Sequence, residues 1–175
     1  MMLTSRSRIF GLALAALVFG LDQIIKGWVR GAWDLANNPP MELLPVFRLV
    51  WSINKGVSLG FLTAGSDTER WILVALTSAI AAIVLVWLCR EKRLIETVPL
   101  GLVLGGALGN ILDRARLGYV VDYADLHFGE WRPFLIFNLA DAAITLGVLI
   151  ILARSLLMRE KRSTQTPDPI PATEI

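Results

Sequence analysis

The sequence predicts an all-α membrane protein, with four transmembrane helices and a small antiparallel β-sheet at the outer membrane surface. Three observations point there. First, 55% of the 175 residues are hydrophobic, and a mean hydropathy of +0.60 suits an integral membrane protein better than a soluble domain. Second, the apolar residues collect in four stretches, about 9–29, 71–89, 97–112 and 135–157. Roughly 20 such residues cross a ~30 Å hydrocarbon core. Third, Lys and Arg gather in segments that four spans would bring to one side of the membrane.

The first stretch, Ile9 to Val29, holds only Asp22 and Lys26 as charges, an i,i+4 pair on one helix face. It has no small-residue cleavage site, and the two charges interrupt the apolar run, so it reads as a retained helix. Residues 30–70 form the first outer loop, where Arg30, Arg48, Lys55 and Arg70 balance Asp34, Glu42, Asp67 and Glu69. Within it, Phe47, Leu49, Trp51 and Ile53 alternate with Arg48, Val50 and Ser52. Apart from Val50, that is the period of a strand with one apolar face. We expect a small sheet there, lying on the membrane and facing lipid or substrate.

The second stretch, Trp71 to Cys89, is uncharged, and Cys89 at its inner end reads as a packing residue. The third, Thr97 to Leu112, is short and must recruit Pro99 or flanking residues to span. Its GGALGN segment, residues 105–110, offers a small-residue face for a close helix neighbour. Asn110 sits in the turn after that face and needs partners, because a buried amide in lipid is costly. The second outer loop, 113–134, begins with Asp113 and Arg114, read first as an interfacial ion pair. Asp122 follows, and Asp125 and His127 read as solvated. The fourth stretch carries Asp141 as its one charge from Leu135 to Ala153, and residues 163–175 are polar and Pro-rich, a disordered tail.

Arg6 and Arg8 precede the first helix, Arg90, Lys92 and Arg93 join the second to the third, and Arg154, Arg159, Lys161 and Arg162 follow the fourth. All three groups fall on one side, expected to be cytoplasmic together with both termini. The net charge of +2 reflects these residues and not a nucleic-acid surface. One His and one Cys supply neither the ligand count nor the spacing of a zinc or thiol centre, so no metal or cofactor is expected.

Depth can then be estimated. Asp22 lies about 20 Å along the first helix, rising from inside, and Asp141 about 9 Å down the fourth from outside. The two reach nearly the same level, with Asp113 and Asp122 close above. A proton or cation relay would string acids through the whole depth of the membrane, whereas here the inner portion has none. A scaffold would need no buried acids. Asp141 has a structural alternative, as an anchor hydrogen-bonded to Asn138 or to a neighbouring helix.

At LDQIIK (21–26), NKGVSLGFL (54–62), GGALGNILDR (105–114), VVDY (120–123) and FNLADAAI (137–144), the chain resembles the lipoprotein signal peptidases, in order and in spacing. These type II signal peptidases are four-helix intramembrane aspartyl proteases of bacteria. The likeness covers roughly residues 9 to 155, and GNILDR with FNLADAAI is its most specific part. Leu59 departs from the pattern, where the family often has Phe, and the tail after Ser163 lies outside it.

The resemblance implies Asp122 and Asp141 as the catalytic pair. It implies Asn54, Gly56, Asn110, Arg114, Asn138 and Ala140 as supporting or substrate-binding residues, with Asp22, Lys26 and Asp113 structural around them. It further implies a prolipoprotein substrate carrying diacylglycerol on its lipobox Cys, contact with membrane lipids and a periplasmic site in the bacterial inner membrane; a monomer suffices for that chemistry and is expected. Two carboxylates about 3 Å apart cannot both ionise cheaply, so such a pair shares one proton. One member can then activate water while the other polarises the scissile carbonyl. Arg114 is a candidate for fixing a carbonyl or lipid phosphate, with an ion pair to Asp113 as the alternative.

Overall fold

The computed structural model describes residues 2–57, 62, 63 and 67–163. Leu59, Gly60 and the tail after Ser163 lie outside the described residues. Four helices long and apolar enough to cross a membrane form a bundle: α1 (Met2–Arg30), α2 (Asp67–Arg90), α3 (Leu94–Leu117) and α4 (Leu139–Ser163). Helix α3 is the central one. Half of its most apolar window is buried, against 28% or less in the others, whose large side chains face outward as lipid would require.

The glycines of α3 bring the helices together. A Cβ on Gly105 would run into the Ala15 backbone of α1, and one on Gly106 into the Ala140 carbonyl of α4. Contacts that close are dispersion-rich, the main source of helix association in lipid. A core of Ala15, Ala81, Leu88, Leu100 and Leu104 fills the middle of the bundle.

Helix α3 runs five residues beyond Leu112, so Asn110, Asp113 and Arg114 belong to its last turns and not to a turn or loop. Gly118 ends it in the left-handed conformation, its N–H donating to the Arg114 carbonyl. Arg70, from the start of α2, donates to the carbonyls of Arg114 (2.7 Å) and Ala115 (2.6 Å). A cation is thereby placed at a helix C-terminus, where the peptide dipoles favour it.

A three-stranded antiparallel sheet caps this end of the bundle, in the order β1 (Met41–Leu44), β2 (Phe47–Asn54), β5 (Val120–Leu126). A separate pair, β3 (Gly56–Val57) and β4 (Leu62–Thr63), follows β2. The expected strand is β2, although a bulge between Leu49 and Ser52 breaks its alternation and buries Val50 beside Leu49. The segment read as a loop around Asp122 is strand β5. Its residues from Val120 to Ala124 are buried together with Asp125. Beneath the sheet, Val29, Leu35, Leu49, Val121, Tyr123 and Ala124 form a second core.

The fourth helix starts at Leu139 and not at Leu135. Phe137 is drawn out of the helix by bridging to Ala124 of β5, donating to its carbonyl (3.1 Å) and accepting from its N–H (2.8 Å). At the opposite end, the Arg8 Nε donates to the Glu91 carbonyl (2.9 Å), and Arg154 pairs with Glu96. The N-terminal segment, the α2–α3 link and the end of α4 therefore meet there, with their basic residues. Cys89, read as packing, is exposed at this end.

Candidate active site

The bridge between Phe137 and β5 brings Asn138 opposite Asp122. Asn138 is fully buried and begins α4 as its N-cap. Its Oδ1 accepts from the Asp141 N–H (2.9 Å), while its own N–H donates to Asp141 Oδ2 (3.2 Å). This reciprocal capping box satisfies two otherwise orphaned donors. The Asn138 Nδ2 donates to Asp122 Oδ1 (2.6 Å). One asparagine thus grips both carboxylates. The structural alternative for Asp141 is also realised, since it does anchor Asn138.

The remaining oxygens are held from other elements. Asn54, paired in register with Val120 across the sheet, donates to Asp122 Oδ2 (3.1 Å), and its Oδ1 accepts from the Gly56 N–H (3.1 Å). Asn110 of α3 donates to Asp141 Oδ1 (2.8 Å) and accepts from Asn138 Nδ2 (3.3 Å). Its Oδ1 also accepts from Lys26 Nζ (3.0 Å).

Lys26 is buried beneath this layer and paired with Asp22 (2.8 Å) and Asp113 (2.9 Å). The i,i+4 pair therefore exists, but Asp113 turns to Lys26 and not to Arg114. Asp113 also accepts from the Val121 N–H (3.2 Å), locking α3 to β5. Asp22 Oδ1 accepts from the Ala140 N–H (3.1 Å), which confirms that α1 and α4 carry their acids at one level. Ala140 is fully buried, and its carbonyl lies against Gly106. All four acids belong to one connected network spanning α1, α3, α4 and β5.

Arg114 is the least satisfied member. Its Nη1 reaches the Asn110 carbonyl only at 3.5 Å, and its Nε, although buried, has no hydrogen-bond partner among the described residues. It lines a cavity of about 270 Å³ with Asn110, Thr77 and Ile144.

Two clefts open onto the acids. Asp122 lines a mixed one of about 690 Å³, where Ser52, Asn54, Arg48 and Arg132 stand beside the apolar Val50, Trp51 and Ile53. Asp141 lines an apolar groove of about 300 Å³ with Ala142, Thr145, Leu146 and Leu149 of α4. Phe134 and Leu135 border both. Burial, then the nearby Asp141 charge, pushes the Asp122 carboxyl up to about 6, against hydrogen bonds from Asn54 and Asn138 that oppose the shift. Among the described residues, no group of three or more His, Cys, Asp or Glu side chains could hold a metal ion.

Three residues escaped the sequence reading. Tyr123 accepts from the Leu139 N–H (3.1 Å) and so fixes the head of α4. Gln23 donates to Asp22 (3.2 Å) and Asp113 (3.1 Å). Asp125, read as solvated, is buried and paired with Arg48 (2.9 Å) and Arg132 (3.2 Å). Of these, Gln23 and Tyr123 lie within the quoted LDQIIK and VVDY segments, which was their only signal.

The protein family described as signal peptidase (SPase) II matches residues 14–157. The lipoprotein signal peptidase of Rhizorhabdus wittichii is 54% identical over 158 residues, 90% of this chain and 92% of that one. That of Sphingopyxis alaskensis is 49% identical, covering 91% and 92%. A bacterial membrane enzyme solved in meso at 1.9 Å resolution shares the fold with a TM-score of 0.69 and 26% identity, over 84% of this chain and 92% of that one. A second, solved at 2.3 Å resolution, has a TM-score of 0.74 at 24% identity, over 92% of this chain and 93% of that one. With its network of buried acids on a four-helix membrane scaffold, this chain belongs to the signal peptidase II family.

Proposed function

We propose that the chain is a membrane aspartic endopeptidase that removes the signal peptide from prolipoproteins, cutting just before a lipobox Cys that carries diacylglycerol. Asp122 and Asp141 are its catalytic pair. The observation that carries this reading is the hold of one buried residue, Asn138, on both carboxylates. Such a clasp draws the two carboxylates toward one another, which favours a pair sharing one proton.

Asp122 holds the shared proton, in keeping with its raised pKa. Asp141 sits in the first turn of α4, where peptide dipoles favour an anion. Its carboxylate takes a proton from water as the water oxygen attacks the scissile carbonyl carbon. Asp122 gives its proton to the carbonyl oxygen, which leaves a neutral gem-diol. The proton on Asp141 then passes to the Cys amide nitrogen as the C–N bond breaks, and a gem-diol hydroxyl returns its proton to Asp122. The products are the signal-peptide carboxylic acid and the free Cys amine.

Arg114, with a spare buried donor, fixes a substrate carbonyl. Asn54, Gly56, Asn110 and Ala140 hold or line the pair, while Asp22, Lys26 and Asp113 form its structural floor. The apolar groove on α4 adjoins the membrane, which suits a scissile bond tethered there by lipid. The basic residues at the end opposite the sheet support a periplasmic site with both termini in the cytoplasm.

The reading is tested with purified protein in detergent. A diacylglyceryl-modified prolipoprotein is cleaved before Cys, and the same precursor without lipid is cleaved at least tenfold more slowly. Equal cleavage of both, or cleavage elsewhere, contradicts it.

A further inference from the structure

The charge-lined cleft over the sheet and the apolar groove on α4 meet at Phe134 and Leu135, with Asp122 in one and Asp141 in the other. A substrate cut between the two acids therefore sends one arm into each. The signal peptide is apolar, and the groove along α4 offers it a wall of Phe137, Ala142, Leu146 and Leu149 in which Asp141 is the one charged group among the described residues. The chain after the Cys is destined for water, and the cleft over the sheet, which carries most of the charged side chains, suits it.

That cleft has a sign. Arg48, Lys55 and Arg132 line it, against Asp122 and Asp125. Asp125 is buried and already answered by both arginines, at 2.9 and 3.2 Å. The Arg132 side chain stays half exposed at the mouth, and Lys55 is exposed beside Asn54. The acid neutralises part of the charge and holds the arginines in place, leaving a cationic rim.

We propose that this cleft receives the mature segment of the substrate, and that Lys55 and Arg132 make it favour acidic over basic side chains in the first residues after the lipidated Cys. The proposal rests on the proteolytic reading above and adds a specificity to it. Opposite charges at a half-exposed site attract by the modest amount of a surface ion pair, about two- to fivefold in kcat/KM, and like charges repel comparably. The preference weakens as salt screens it.

The test uses three diacylglyceryl-modified prolipoproteins that differ only in carrying Asp, Asn or Lys at the second and third positions after the cleavage site. The full-length enzyme should cleave them in the order Asp, Asn, Lys, with the difference mainly in KM. K55E and R132E, separately, should reverse or flatten that order. Because Arg132 also pairs with Asp125, K55E guards against a variant that merely misfolds.

Equal rates on all three precursors in the unaltered enzyme would overturn the specificity and leave the peptidase reading intact, whereas no cleavage of any would sink the peptidase reading. A uniform slowing of all three by both variants would also overturn it. If that slowing tracked the anionic lipid content of the vesicles, the rim would be reading lipid headgroups instead.

Discussion

Asn138 does three jobs with one side chain and one amide: it caps α4, holds Asp141 and donates to Asp122. No aliphatic residue can do so, and an Asp there would set a third acid directly against Asp122 and Asp141. Because burial and the Asp141 charge raise Asp122 to about 6, the pair keeps its proton below that value and loses it as pH rises through it. The kcat/KM of the free enzyme should therefore decline on the alkaline side of about pH 6, whereas a flat profile from pH 5 to 9 would show that no such proton is needed. At this scale the sequence displayed which acids are present but not how they pair. Asp113 lies next to Arg114 in sequence yet bonds to Lys26, and Asp125 looked solvated because its partner Arg48 is 77 residues away.

Among the elements, α3 carries the tightest constraint. A Cβ on Gly109 would strike the Asp22 carboxylate, which is buried and fixed by Lys26 and by the Ala140 N–H. Gly109→Ala should cost about 1–3 kcal/mol through overpacking and lower activity by displacing the head of α4. Gly20→Ala meets nothing within 4 Å and should leave stability unchanged or slightly improved. Thermal unfolding in detergent with parallel activity assays separates the two, and equal behaviour would contradict the packing argument. Hydropathy and the length of the apolar runs made all four spans legible. Strand β5 was hidden because VVDYADL is buried on both faces, so it shows no alternation to read. The start of α4 was misjudged because Leu135–Phe137 is as apolar as a helix, and only the bridge from Phe137 to β5 excludes it.

Across the whole molecule, chemistry is segregated by end. The acids, amides and sheet lie at one end, and Arg8, Arg90, Glu96 and Arg154 at the other, with a glycine-stitched apolar bundle between them. This polarity was legible from the basic residues and helix lengths alone, and the depth estimate that matched Asp22 to Asp141 followed from helical rise. It also makes the orientation measurable. Cys89 is the one cysteine of the chain and is exposed at the basic end. In intact spheroplasts a membrane-impermeant maleimide should leave it unlabelled, and permeabilisation should expose it; labelling of intact cells would invert the proposed topology.

The central claim is that two acids from different elements act as one catalytic unit. It is tested most directly by measuring kcat for Asp122→Asn, Asp141→Asn and the double variant on one lipid-modified precursor, with folding checked by thermal unfolding. Groups that act together are strongly non-additive. Each single variant should therefore fall to the background reached by the double. A folded single variant retaining near-full activity, or losses that simply multiply in the double, would contradict the account.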